Sequence, residues 1–211
     1  MGRLLSTERR TTRFVCLMFA CAAVAGSGAP ALRADASYTR AEADAMQRKI
    51  DRIAALPQGA GRRATMTPFS EREVNAYLRF QLKETIPSGI TEPVITIVGD
   101  GRVSGQAVVD LDAVSKANRS TSWFDPMRLL TGRLPVTAAG MLETRDGSGR
   151  FVLESAAISG VPIPKSVLQR VVSYYSTTPE DPDGIGLDDA FALPAQIVEI
   201  RVQPGQALVV Q

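Results

Sequence analysis

The chain has 211 residues, 45% hydrophobic and 22% charged, which is enough apolar material for one domain with a proper core. Histidine is absent, and both cysteines, Cys16 and Cys21, fall in the first thirty residues. A Ser-His-Asp site and histidine metal ligation are therefore excluded, and downstream of those residues so is thiolate or disulfide chemistry.

Arg3, Arg9, Arg10 and Arg13 precede an uninterrupted apolar run, Phe14–Ala25, with small residues and A-x-A stretches at 23–25 and 34–36. This is the layout of a secretory signal peptide over residues 1–36; the run is shorter than the ~20 residues a membrane span needs. A retained signal anchor is the alternative. Met18-Phe19-Ala20 before Cys21 is a poor lipobox, and Arg9-Arg10 lacks the Phe-Leu pair of a twin-arginine signal, so general secretion is expected. The leader holds five of the 24 basic and two of the 22 acidic residues, leaving 19 against 20. That balance gives no electrostatic case for nucleic acid or an anionic membrane. The expected protein is exported, periplasmic or extracellular, free or membrane-associated, without a transmembrane span after cleavage.

Thr39-Arg-Ala-Glu42 is a capping box, and good helix formers continue to Leu56, with a thin apolar stripe of Met46, Ile50, Ile53 and Ala54. This reads as a short helix that packs loosely or leads into the domain. Ser70-Glu-Arg-Glu73 is a second capping box, with Phe69 placed as a staple, and Val74, Tyr77, Leu78 and Leu82 recur at helical spacing. The spacing predicts a helix over 71–84. Strand patterns at 94–98 and 103–111 meet at Gly99-Asp-Gly-Arg102, a hairpin turn signal. A second pair, 132–144 and 151–158, turns at Asp146-Gly-Ser-Gly149. Gly160, Pro162 and Pro164 form a corner that swings the chain from a strand into a helix over 164–176. An acidic, proline-rich loop, 178–184, follows, and then a last hairpin, 195–202 and 207–211, around Pro204-Gly205.

Antiparallel hairpins separated by helices point to an α+β fold in which one sheet covers one or two amphipathic helices over a single elongated core. The division expected is 1–36 leader, 37–66 N-terminal helix and linker, and 67–211 a single α+β domain.

Catalytic signatures are missing. There is no G-x-S-x-G elbow, and the glycines at 99–105 lead into a strand rather than a helix, unlike a dinucleotide loop. Asp110 and Asp112 share a strand face without a third partner, and Asp181, Asp183, Asp188 and Asp189 lack EF-hand spacing. Asn118-Arg-Ser120 matches a glycosylation sequon, a pattern too common to carry weight. No enzyme activity, cofactor or metal is expected.

Apolar surface remains: Tyr77, Leu78 and Leu82 on one helix, Val167, Leu168, Val171, Val172 and Tyr175 on the other, and the pair Trp123-Phe124. These residues either fill a core or line an apolar groove, and periodicity does not separate the two.

Four stretches carry a resemblance: Phe69-Ser-Glu-Arg-Glu-Val-Asn75, Gly132-Arg-Leu-Pro-Val136, Ile158-Ser-Gly-Val-Pro-Ile-Pro164 and Phe191-Ala-Leu-Pro194. Their order resembles that of the tubular lipid-binding (TULIP-like) group, and within it the LmeA-like bacterial domains grouped as DUF2993. The resemblance implies a strongly curved antiparallel sheet wrapped around amphipathic helices. It also implies an apolar cavity and binding or transfer of a lipid or other hydrophobic molecule; on that reading the ten apolar residues above are the expected lining of the groove. The alternative is an envelope module that docks another protein and has a fully packed interior.

Overall fold

The computed structural model describes residues 37–55, 64–86, 89–110, 132–176 and 186–211. The first helix, α1 (Arg40–Ala54), starts at the expected capping box. The Glu42 N–H donates to the Thr39 hydroxyl at 3.2 Å, and the Thr39 N–H donates to the Glu42 carboxylate at 2.8 Å. A five-residue strand, β1 (Met66–Ser70), runs straight into α2 (Glu71–Phe80), which carries the second capping box through Ser70 and Glu73. Phe69, expected as a helix staple, is a buried residue of that strand and lies in the same core cluster as Val74, the fourth residue of α2. α2 ends short of residue 84, where the regular bonding breaks: the Tyr77 carbonyl accepts from both Gln81 and Leu82, and a separate turn closes from Thr85 and Ile86 onto the Leu82 carbonyl.

The remaining elements are β2 (Ile90–Gly99), β3 (Arg102–Asp110), β4 (Arg133–Arg145), β5 (Ser148–Ile158), β6 (Val161–Pro162), α3 (Lys165–Ser176), β7 (Ala190–Ala192), β8 (Glu199–Gln203) and β9 (Gln206–Val210). The fold is α+β, as expected, and all strand pairing is antiparallel. The strands form two sheets rather than one: β2-β3-β4-β5-β6 with β7 also on β5, and β1-β9-β8. The β2–β3 and β4–β5 hairpins turn on Asp100-Gly101 and Asp146-Gly147, whose positive φ values give the twist that two-residue turns require.

The edge of β2 that faces away from β3 is sealed by side chains of α2. Asn75, 1% exposed, accepts from the Ile95 N–H at 2.7 Å and donates to the Ile95 carbonyl at 2.7 Å. One helical turn earlier, Glu71 accepts from the Ile97 N–H at 2.8 Å, and the Ile97 carbonyl accepts from the Gly205 N–H at 2.8 Å. Polar groups that an edge strand would leave open are thus paired without another strand. The Thr144 hydroxyl joins the sheets again, accepting from the Ile200 N–H at 2.8 Å and donating to the Ile200 carbonyl at 3.0 Å.

The first helix does not pack loosely. Ala43 and Ile53 are buried, and Met46 and Ile50 pack on the same core as Phe69, Val74 and Leu78. Two ion pairs cross between the helices, each using the capping-box carboxylate of one and a cation of the other: Arg72–Glu42 and Lys49–Glu73, both at 2.7 Å. The Arg72 bond, with the Thr39 N–H, holds the Glu42 carboxyl below its ordinary pKa. Burial pushes Glu73 upward, but the bonds from Lys49 and Ser70 outweigh it, and its pKa is lowered.

The interior is not one elongated core. A main cluster joins α1, α2, the three-stranded sheet and the turn-proximal half of the larger sheet. A smaller cluster, Ala138, Ala156, Leu168, Val172 and Leu187, lies under α3, with Leu153 packed against both.

Candidate functional site

Side chains alternate between the faces of a strand, so the register assigns each residue of the larger sheet to a side. On the face that meets the helices, successive rows run across the strands. Val103, Gly140 and Leu153 form one row; Ile95, Gly105, Ala138 and Ala156 form the next. Ala107, Val136 and Ile158 follow, and then Ile90, Val109 and Leu134 at the end away from the Asp-Gly turns.

α3 is delivered to this face by a reversal at Ser159-Gly160, where φ is 50° and 79°. The reversal sets Ile158 opposite Val161 and Ala157 opposite Pro162. Pro162 therefore lies in a two-residue edge strand, a position that needs no donor, rather than in an open corner. The Pro164 carbonyl accepts from Val167 and Leu168 and starts the helix. Leu168 and Val172 then descend onto Ala138 and Ala156, whose small side chains let the helix approach.

In the two outer rows the larger side chains are half-buried, and only Ala107 is buried. Ile90, Val109, Leu134, Val136 and Ile158 are all half-buried, whereas Ala138, Ala156, Leu168 and Val172 beside them are buried. The result is a strip of aliphatic side chains, contiguous across β2–β5 and bordered by α3. It can hold an apolar molecule by excluding water, at about 25 cal/mol for each Å² covered. Among the described residues, the strip itself carries no acid, base or nucleophile.

Of the ten residues singled out in the sequence, the six whose side chains are described do not converge. Tyr77 is half-buried on α2 and its hydroxyl donates to Gln47 of α1 at 2.9 Å. Leu78 is buried in the main core, and Leu82, just past α2, packs on its margin. These three stand with α1, apart from α3. Leu168 and Val172 belong to the second cluster, and Val167 is half-buried in the first turn of α3. Val171 and Tyr175 lie on α3 with side chains outside the described residues, as are Trp123 and Phe124 altogether.

Of the acidic groups, Asp188 pairs with Lys165 at 2.7 Å, and Asp189 accepts from the Gly186 N–H at 2.6 Å. Asp112, Asp181 and Asp183 lie outside the described residues. Among the described residues, no three acidic side chains are grouped to hold a metal ion, and no helix is long and apolar enough to cross a membrane.

The strip residues were visible in the sequence only as members of strands. Their alternation gave a face, and nothing local marked them as less covered than Ile95 or Ile97. Comparison of the chain with protein-family models, with curated proteins and with solved structures finds no significant match, so the site is read from its geometry.

Proposed function

We propose that the chain is an exported, non-catalytic protein that binds or carries a lipid or another hydrophobic molecule between α3 and the helix-facing side of the larger sheet. The observation that supports this reading is the half-buried strip of Ile90, Val109, Leu134, Val136 and Ile158 beside α3. Contiguous apolar surface of this kind marks binding sites more often than bare surface, and acyl or polycyclic carbon is its natural complement. The same function is the one implied by the resemblance to the tubular lipid-binding group.

The test is native mass spectrometry of the purified chain, together with titration by a fluorescent fatty acid. A co-purifying hydrophobic species and saturable uptake are expected. Val136→Asp and Ile158→Asp should keep the melting transition and weaken uptake about tenfold or more, because each sets a charge against the apolar ligand. A wild-type chain with no bound species and no uptake refutes the reading and leaves the protein-docking alternative.

A further inference from the structure

We infer, on the basis of the binding function proposed above, that the ligand is one unbranched hydrocarbon chain of about twelve carbons. It lies across the strands with its methyl end at β3 and its polar end at β6.

The strand register sets the track. Ala107 stands opposite Val136, Val136 opposite Ile158, and Ile158 opposite Val161. Residues directly opposite one another in an antiparallel pair share a face, so these four form one unbroken aliphatic row from β3 to β6. Val161 carries the strip one strand beyond its half-buried members and is 67% exposed. A single exposed valine is ordinary; one that continues an apolar row is an extension of the strip.

Both ends of the row are marked. At β2 the pairing with β3 shifts, from Thr91 opposite Val108 to Val94 opposite Gln106, so Glu92 and Pro93 together stand against Ala107. Glu92 has a φ of 54°, and this bulge interrupts the row on that side. On the other side β6 ends the sheet order and is only two residues long. From β3 to β6 the row crosses three strand spacings of about 4.8 Å each, a track of about 14 Å. An extended polypeptide covers about 3.5 Å in three bonds, so a straight chain advances about 1.2 Å per bond and about twelve carbons fill the track. The row beside it, Ile90, Val109 and Leu134, spans β2 to β4 only, so the full length suits one chain and not two side by side.

Exposure gives the direction. Ala107 is 9% exposed, Val136 and Ile158 are half-buried, and Val161 lies open at the far end. A methyl end gains most where water is most fully excluded, and a carboxylate or hydroxyl keeps its hydration where the row opens. The four side chains have no polar atom for a head group, so chain length sets the affinity.

The test is displacement of a fluorescent fatty acid by saturated fatty acids from hexanoate to palmitate, each below its micelle-forming concentration. Affinity should rise about two- to fourfold with each methylene up to about dodecanoate and then stay level. Val161→Ser, at an exposed site, should keep the wild-type melting transition. It should leave hexanoate and octanoate unchanged, bring the plateau about four carbons sooner and weaken dodecanoate about tenfold, since one strand spacing matches about four bonds. Affinity that climbs through palmitate overturns the length. An equal loss at every length in Val161→Ser overturns the direction, and a polycyclic acid that binds more tightly than dodecanoate overturns the class of ligand. Saturable binding in any of these cases leaves the binding function standing, whereas no binding at any length refutes that function and the chain assignment with it.

Discussion

Asn75 is the side chain whose loss the fold should feel most sharply for its size. Replacement by alanine removes the bonds to the Ile95 N–H and carbonyl, and Ile95 is itself 2% exposed, so water does not replace them. Two orphaned backbone groups at about 1–3 kcal/mol each give a loss of about 2–6 kcal/mol. That is a large share of the about 5–15 kcal/mol that holds a domain together. Urea unfolding followed by circular dichroism measures it, with an unchanged slope showing that the denatured state is not the cause. Asn75→Leu separates the contributions: it restores volume but not the bonds, and should cost nearly as much as the alanine. If both variants stay within about 1 kcal/mol of the wild type, the side-chain seal on β2 is not what stabilises that edge.

Three further outcomes follow from the packing. The folded-state pKa of Glu73 is lowered, so its stabilisation is complete above about pH 5 and fades as pH falls through the ordinary carboxylate value of about 4.3 and below. The melting temperature should drop across that window, and less steeply in Glu73→Gln, as calorimetry at a series of pH values would show. Gly140→Ala sets a methyl 2.5 Å from both the Phe151 ring and the Val152 carbonyl, and should destabilise by about 1–3 kcal/mol in the same urea assay. Thr144→Val deletes both bonds to Ile200 at constant shape and should cost about 1–3 kcal/mol; a neutral result would mean that these two bonds do not hold the sheets together.

Features that depend on neighbouring residues were legible in the sequence. Both capping boxes and the Asp-Gly hairpins follow from spacings of two to four residues, and each stands where its pattern put it. What escaped depends on distant partners. β1 is a five-residue strand only because β9, some 140 positions on, pairs with it, Met66 with Val210. The seal on the edge of β2 and the bridge to the smaller sheet use Asn75 and Thr144, polar residues with no periodic signature. In the candidate site, Leu168 and Val172 were identifiable from helical spacing. The strip was not, since a half-buried valine and a buried one are the same letter. Tyr77 shows the converse: it shares a helix with core residues, yet its hydroxyl goes to Gln47.

The order of strands in the smaller sheet carries one more consequence. β9 is its middle strand, flanked by β1 and β8, so residues 206–210 hold together segments that precede them by very different lengths. During synthesis β1 has no partner until Val210 has left the ribosome, and α2, which β1 leads into, stays short of its full packing until then. Closing so long a loop also makes the step slow. Removal of a few residues from 206–210 should therefore yield not a trimmed domain but a chain that never closes its smaller sheet.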